Sequence, residues 1–199
     1  MADLPEAVWW AAAAVLGYLI GAINPAAIVS RAFGIDLQRV GSGNPGATNV
    51  GRALGPRWAV LVGFLDIVKG FVPAFVFGAL VGQTAGEIAG LATVVGHITS
   101  PYLKGRGGKG VATTLGAILG VQPLLAIPVL IGFAIGVAFS RRVGIGAVVG
   151  AIVLVLSGIL GWVIGWTDEA DMWFAIVLGL LVLSRHVGNI RRAIDGLRQ

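Results

Sequence analysis

The sequence predicts an all-α fold, a polytopic transmembrane bundle of about seven helices, from its composition and its long apolar stretches. Of the 199 residues, 57% are hydrophobic and only 12% are charged, whereas roughly a quarter of the residues of a soluble domain are charged. Uncharged stretches at 7–30, 111–140 and 143–167 each reach the ~20 residues that a helix needs to cross a bilayer. Residues 1–199 are predicted to form one integral membrane domain, with a mean hydropathy of +0.92.

The distribution of charge predicts the orientation of the helices, because basic residues mark the cytoplasmic ends of membrane helices. The basic residues gather at 31–57, 104–109, 141–142 and 185–198. Most of the acidic residues lie elsewhere, near 3–6, 87 and 168–171. We therefore expect the N-terminus outside and the C-terminus in the cytoplasm. Because the basic groups lie in short loops tied to the membrane, nucleic acid is not expected as a partner.

The first three helices are expected at about 7–30, 58–82 and 88–103. The segment before helix 1 contains Asp3 and Glu6, unlike the basic start of a signal peptide, so this helix is interpreted as retained. Helix 2 leads from the basic loop to the acidic side near Glu87, and helix 3 returns to the basic loop that begins at Lys104.

The stretch 111–140 is predicted to cross the membrane twice, because both of its flanks are basic. Gly120 and Pro123 supply the turn in its middle, since glycine favours a helix end and proline a helix start. Helix 6 (about 144–166) then leads to the acidic loop, and helix 7 (about 172–187) returns. Glycines four residues apart in these helices, such as those of the pairs Gly17/Gly21 and Gly116/Gly120, are interpreted as packing positions.

The first polar segment, residues 41–52, interrupts the apolar chain with small hydrogen-bonding residues. Its hydroxyl and amide side chains are those of Ser42, Asn44, Thr48 and Asn49. Glycines such as Gly43 allow a ligand to approach the backbone amides, and Arg52 adds a guanidinium that suits a phosphate. The alternative is a polar turn, which Gly, Asn and Pro favour by themselves. The segment is about twice as long as such a turn needs.

The second polar segment, residues 96–114, holds a basic glycine-rich run that opens a predicted helix. Its candidate anion-binding residues are Gly107, Gly108, Lys109, Gly110 and Thr113. Amides at a helix N-terminus, glycines and a lysine suit a phosphate, although a nucleotide-binding P-loop would have Ser or Thr after the lysine. The alternative is a loop made basic by membrane topology. His97 is a candidate base, or a histidine that packs through hydrogen bonds.

The third polar segment, residues 185–196, lies at the end of the last predicted helix. Intervals of three and four residues would place its candidates on one helical face: Arg185, His186, Asn189 and Arg192. The alternative is a basic tail attracted to anionic lipids.

Inside helix 2, Asp66 and Lys69 are expected to pair and face the interior, because charges within a membrane are costly. A functional and a structural role are both open for this pair.

All three segments lie on the cytoplasmic side of the predicted topology and supply donors suited to phosphate. The residues therefore predict a membrane-embedded site for a small phosphorylated ligand. The chain has no Cys, which excludes disulfides, thiolate nucleophiles and a cysteine-based metal centre. Its two His are too few for a histidine-rich metal centre. No metal and no other cofactor is implied.

Three parts of the chain resemble, in order and spacing, the signatures of the PlsY-type acyl-phosphate:glycerol-3-phosphate acyltransferases: GSGNPGATNVGR at 41–52, GHITSPYLKGRGGKGVAT at 96–113 and RHVGNIRR at 185–192. The resemblance implies a bacterial enzyme of the plasma (inner) membrane. Such an enzyme transfers a fatty acyl group from acyl phosphate to the 1-hydroxyl of sn-glycerol 3-phosphate and gives lysophosphatidic acid, the first step of phospholipid synthesis. The implied partners are both substrates, the lipid bilayer and, as a candidate, the enzyme that makes acyl phosphate.

On this interpretation the catalytic candidates are His97, His186 and Asn189, and the other candidates named in the three polar segments bind substrate phosphates. The proton acceptor is one of the histidines or a phosphate oxygen of a substrate. Without Cys or a Ser-based triad, direct transfer with no acyl-enzyme is expected. The protein then contributes positioning and neutralisation of phosphate charge.

The main alternative function is a membrane transporter or exchanger of phosphorylated small solutes, since basic loops also line anion pathways. Against it, the polar residues gather on one face, and little polarity beyond Asp66 and Lys69 continues across the membrane. A CDP-alcohol phosphotransferase would need a cytoplasmic aspartate cluster that holds a metal, and the nine acidic residues do not supply one.

Overall fold

The computed structural model describes residues 4–196, with side chains up to residue 191, and all regular elements in this range are helical. The α-helices are α1 (Glu6–Ala22), α2 (Pro25–Ala32), α3 (Ala47–Leu54), α4 (Pro56–Leu80), α5 (Gln83–Thr99), α6 (Val111–Val121), α7 (Ala126–Ser140), α8 (Val143–Val163), α9 (Glu169–Ser184) and α10 (Val187–Gly196). The chain divides into two compact units, Met1–Val121 with α1–α6 and Gln122–Gln199 with α7–α10. The all-α prediction is confirmed. The number of membrane crossings, the orientation and the single domain stay predictions.

Four stretches of the described chain are long and apolar enough to cross a membrane: Glu6–Ala32, Pro56–Leu80, Pro123–Ser140 and Val143–Val163. The turn predicted in the middle of 111–140 is confirmed by a 3₁₀ turn at Pro123–Leu125. Apolar side chains such as Val60, Phe64 and Phe75 on α4 are exposed. This is the surface that a helix in contact with lipid requires.

The first predicted helix is broken into α1 and α2, a difference from the sequence prediction that has a local cause. Proline lacks an amide hydrogen and disfavours a helical conformation in the residue before it, so Pro25 ends α1 and begins α2. Asn24 caps α2, because its Oδ1 accepts a hydrogen bond from the Ala27 amide at 2.8 Å. The Asn24 Nδ2 donates to the Pro45 carbonyl at 3.1 Å and ties the break to the first polar segment.

The last predicted helix (about 172–187) begins and ends earlier than predicted, at Glu169 and Ser184. Asp168 and Asp171 form a capping box. The Asp168 Oδ1 accepts from the Asp171 amide at 2.8 Å, and the Asp171 Oδ2 accepts from the Asp168 amide at 3.4 Å. The acidic residues of this loop therefore also set the helix start. After a turn, α10 forms a separate helix that the sequence did not predict.

Glycines bring helices of the first unit into backbone contact, as their spacing predicts. A Cβ atom added at Gly21 of α1 would collide with the carbonyl oxygen of Thr93 on α5. One added at Gly116 of α6 would collide with the carbonyl oxygen of Ile67 on α4. Close backbone packing therefore holds α5 against α1 and α6 against α4.

The orientation is testable at the two ends of α5, because the chain has no natural Cys. We expect Thr84→Cys to react with a membrane-impermeant thiol reagent added to the outside of intact cells. Tyr102→Cys, beside the basic loop, is expected to react only after the membrane is permeabilised. Both side chains are exposed. Labelling of Tyr102→Cys from outside would invert the predicted topology.

Candidate functional site

The loop of the first polar segment is held by Asn49, which was predicted to offer its amide to a ligand. Asn49 is only 1% exposed. Its Nδ2 donates to the carbonyls of Leu37 at 3.2 Å and Val40 at 2.9 Å. Its Oδ1 accepts from the Ser42 amide at 3.2 Å. In this structure both amide hydrogens of Asn49 are therefore used to close the loop that precedes α3.

The side chains that the first polar segment leaves accessible are those of Ser42, Asn44, Thr48 and Arg52. Ser42, Thr48 and Arg52 are exposed, and Asn44 is half-buried. Thr48 and Arg52 stand four residues apart on α3, where side chains share one face. A Cβ atom added at Gly41 would lie 3.8 Å from the Arg52 Cδ, so the arginine stem lies against the loop. Gly43 has φ +69°, and its amide donates to the Val40 carbonyl at 3.0 Å.

Two glycines of the second polar segment, Gly107 and Gly108, donate their amides to the end of α5, whereas the sequence predicted amides open to a ligand. The Gly107 amide donates to the Ile98 carbonyl at 3.0 Å, and the Gly108 amide donates to the His97 carbonyl at 3.1 Å. A helix end leaves its last carbonyls without intrahelical partners, and these two glycines satisfy them. A Cβ atom added at Gly107 would collide with the His97 carbonyl oxygen, so only glycine permits this approach.

Lys109 and Gly110 lead from this contact into α6. Lys109 is half-buried, and Gly110 has φ +80°, a conformation that favours glycine. Thr113, predicted to bind phosphate, is fully buried, and its backbone lies against Gly70 of α4. Within the described residues its hydroxyl has no hydrogen-bond partner. Of the predicted residues of this segment, Lys109 is therefore the one whose charged group best fits an anion.

The predicted pair of Asp66 and Lys69 is confirmed, and His97 joins it. The Lys69 Nζ lies 2.9 Å from the Asp66 Oδ1 and 2.8 Å from the His97 Nδ1. The exposed fractions are 3% for Asp66, 8% for Lys69 and 4% for His97. Buried charges are stable only when paired and hydrogen-bonded. The ion pair of Asp66 and Lys69 lies within α4, and the contact of Lys69 with His97 links α4 to α5.

The same lysine reaches the broken end of α1. The Lys69 Nζ donates to the carbonyls of Gly21 at 3.2 Å and Ile23 at 2.7 Å. The Ser100 hydroxyl donates to the neighbouring Ala22 carbonyl at 2.6 Å. Sequence reasoning missed Ser100 and the cap at Asn24. The available signal was the Asn-Pro dipeptide within an apolar run, which marks a turn.

The third polar segment does not form one helical face, contrary to the prediction. Arg185 lies at the end of α9, where its amide bonds to the carbonyls of Leu183 and Val182, and α10 begins only at Val187. A turn at Arg185 and His186 therefore interrupts the helix before Asn189. Arg185 is exposed, whereas the side chain of Arg192 lies outside the described residues.

His186 and Asn189 occupy packed positions in the second unit. His186 is 2% exposed, and its Nδ1 lies 2.8 Å from the Val182 carbonyl oxygen. Asn189 is half-buried, and a Cβ atom added at Gly144 of α8 would collide with its Nδ2. These two of the three side chains predicted to act in catalysis are therefore in contact with α9 and α8.

A cavity of about 630 Å³ lies in the first unit beside the second polar segment. Its basic lining residues are Arg31, Lys104 and Arg106, and its acidic one is Asp36. The side chains of the described residues that were predicted to bind phosphate do not line it. The sequence had indicated Arg31 and Lys104 only as markers of a cytoplasmic loop, so this basic cavity was missed.

Known proteins similar to this chain include glycerol-3-phosphate acyltransferases. A family model for "Glycerol-3-phosphate acyltransferase" matches residues 11–196. A glycerol-3-phosphate acyltransferase of Aquifex aeolicus (strain VF5) is 37% identical over 184 residues, which cover 92% of this chain and 94% of that protein. One of Thermoanaerobacter sp. (strain X514) is 40% identical over 194 residues, which cover 92% of this chain and 91% of that protein.

Two crystal structures of PlsY (YgiH), an integral membrane glycerol 3-phosphate acyltransferase, are similar to this fold. The glycerol 3-phosphate form has a TM-score of 0.86 and 35% identity, and the match covers 94% of this chain and 92% of that chain. The lysophosphatidic acid form has a TM-score of 0.83 and 34% identity, with the same coverage. The prediction of a multi-pass membrane protein is thereby confirmed.

The role of Asn49 in closing the loop is testable by its effect on stability. We expect Asn49→Ala to lower the free energy of unfolding by about 1–3 kcal/mol, because the carbonyls of Leu37 and Val40 lose their donors in a buried place. The neighbouring Thr48→Ala, at an exposed position, is expected to change it by at most ~0.5 kcal/mol. Thermal unfolding in detergent measures both. Equal melting temperatures for the two variants would contradict this role.

Proposed function

The chain belongs to the glycerol-3-phosphate acyltransferase family, and from this premise we propose that it transfers a fatty acyl group from acyl phosphate to the 1-hydroxyl of sn-glycerol 3-phosphate. The products are lysophosphatidic acid and inorganic phosphate. We place the protein in the bacterial plasma membrane, where the acyl chain is held by the lipid. The site opens on the cytoplasmic face, where glycerol 3-phosphate is dissolved. The enzyme that makes acyl phosphate is a candidate partner.

The observation that carries the proposal is the exposed face formed by Thr48 and Arg52 on α3, next to Ser42. A guanidinium and hydroxyl donors on one face suit a phosphate. The half-buried ammonium of Lys109 supplies a further cation from the second polar segment. Both proposed substrates carry a phosphate, so a site that receives them needs more than one cationic donor.

The proposed chemistry is a single displacement. The glycerol hydroxyl oxygen attacks the acyl carbonyl carbon, the bond from that carbon to the phosphate oxygen breaks, and phosphate leaves with the electron pair. The hydroxyl proton passes to His97, to His186 or to a phosphate oxygen. A mixed anhydride is already activated, so the protein needs only to orient the hydroxyl and neutralise charge on the departing phosphate.

Purified protein supplied with acyl phosphate and glycerol 3-phosphate is expected to form lysophosphatidic acid, detected by mass spectrometry, without added metal or acyl-CoA. Arg52→Ala and Lys109→Ala each remove a charge-assisted phosphate contact worth about 1.5–3 kcal/mol. Their kcat/KM is therefore expected to fall roughly 10–100-fold. Arg57→Ala, at an exposed arginine stacked on Trp58, serves as the matched control and is expected to keep the parent value.

Two results would count against the proposal. Parent kinetics in both Arg52→Ala and Lys109→Ala would show that neither cation contacts a substrate phosphate. Absence of lysophosphatidic acid, with uptake of glycerol 3-phosphate into vesicles that contain the protein, would favour the transporter.

Direct transfer is testable at Ser42, the serine of the glycine-rich loop. Ser42→Ala is expected to lose a hydrogen bond worth about 0.5–1.5 kcal/mol and to retain measurable turnover. Loss of a true nucleophile would abolish turnover. Mass spectrometry of the parent protein after incubation with acyl phosphate alone is expected to show no added acyl group. A stable acyl adduct would contradict the single displacement.

A further inference from the structure

We infer that Lys69 holds His97 in the tautomer that carries its hydrogen on Nε2, so that His97 presents an N–H towards the second polar segment and is not the proton acceptor of the reaction. In this view Lys69 and His97 are positioning residues. The inference rests on the proposed acyl transfer for its functional meaning, whereas the tautomer itself follows from the contacts in the first unit.

The donor count of Lys69 leads to this assignment. An ammonium has three hydrogens and no acceptor. Its Nζ lies within hydrogen-bond distance of the carbonyl oxygens of Gly21 and Ile23 and of the His97 Nδ1, at 3.2, 2.7 and 2.8 Å. The Asp66 Oδ1 lies at 2.9 Å but accepts no hydrogen bond of acceptable geometry, so it acts through charge. All three hydrogens are thus assigned, and one of them is directed at Nδ1.

The opposite arrangement would place the hydrogen on Nδ1, directed at the Asp66 Oδ1. That distance is 3.5 Å, longer than the 2.8 Å to the ammonium. A hydrogen on Nδ1 would also face the hydrogens of Lys69. Nδ1 is therefore the acceptor, and the hydrogen of the neutral ring lies on Nε2.

The Nε2 atom faces the second polar segment. A Cβ atom added at Gly108 would collide with the His97 Nε2, so the backbone just before Lys109 passes against this nitrogen. The His97 carbonyl also accepts the Gly108 amide at 3.1 Å. One residue thus holds this backbone from two sides. With an exposed fraction of 4%, His97 acts by fixing the position of Lys109.

His186 has the opposite arrangement. Its Nδ1 lies 2.8 Å from the Val182 carbonyl oxygen, which can only accept a hydrogen bond. The hydrogen of His186 is therefore on Nδ1, and the basic lone pair of the neutral ring is on Nε2. The proton acceptor is thereby narrowed to His186 or a substrate phosphate oxygen.

The tautomer is testable by nitrogen-15 NMR of the full chain in detergent, with both histidines labelled in the ring. The chain has only two His, so His186→Ala assigns the His97 signals. We expect the hydrogen on Nε2 in His97 and on Nδ1 in His186. Lys69→Met is expected to shift the His97 signals towards a mixture of tautomers, whereas Arg141→Met, at an exposed arginine, leaves them unchanged. A hydrogen on the His97 Nδ1 would overturn the inference.

The positioning role is testable by kinetics. His97→Gln supplies an amide N–H near the position of Nε2, and we expect its kcat within roughly tenfold of the parent, with the parent pH profile. His97→Leu, of similar volume but without a donor, is expected to lose more. A loss of ~10²–10⁴ in His97→Gln together with a missing inflection in the pH profile would identify a general base and overturn the inference. Because the NMR needs no turnover, absence of acyl transfer in the parent chain would count against the proposed function alone.

Discussion

Pro25 breaks the first membrane helix and leaves backbone carbonyls without intrahelical donors, and the ammonium of Lys69 satisfies them. In a continuous helix the Gly21 carbonyl would accept from the amide four residues later, which belongs to Pro25 and has no hydrogen. Lys69 donates to that carbonyl and to that of Ile23, and Ser100 donates to that of Ala22. A buried carbonyl without a donor costs roughly 1–3 kcal/mol. The break in the first helix therefore depends on a cation supplied by α4.

The same cation links the membrane interior to the residues proposed to receive phosphates. Asp66 balances its charge, and the His97 imidazole extends the contact to the backbone at Gly108, next to Lys109. On the other side of the break, the Asn24 amide donates to the Pro45 carbonyl of the first polar segment. The break between α1 and α2 and the side chains that satisfy it thus contact both polar segments of the first unit. This explains why a charged pair stands within a helix long and apolar enough to cross a membrane, where each charge alone would be costly.

Composition and charge pattern were enough to predict the all-α fold, the long apolar helices, the turn within 111–140 and the inward pair of Asp66 and Lys69, because these follow from burial and lipid contact. The resemblance of the polar segments to a known family was also sufficient to predict that the chain belongs to the glycerol-3-phosphate acyltransferase family. The hydrogen-bond partners of individual polar groups could not be predicted in the same way. Asn49 and the amide of Gly108 looked available for a ligand, yet both bond to the backbone. Such partners depend on tertiary contacts that spacing along the chain does not determine.

Replacing the buried ion pair tests the central role of Lys69 most directly. Lys69→Met should lower the free energy of unfolding by about 3–5 kcal/mol, because it leaves the Asp66 carboxylate buried without its cation. Combining it with Asp66→Leu removes the unpaired charge, which often restores stability when an ion pair is the only interaction lost. Here the carbonyls of Gly21 and Ile23 remain without donors, so thermal unfolding in detergent should find the double variant at least ~2 kcal/mol below the parent. A double variant as stable as the parent would contradict the claim that the broken helix depends on this lysine.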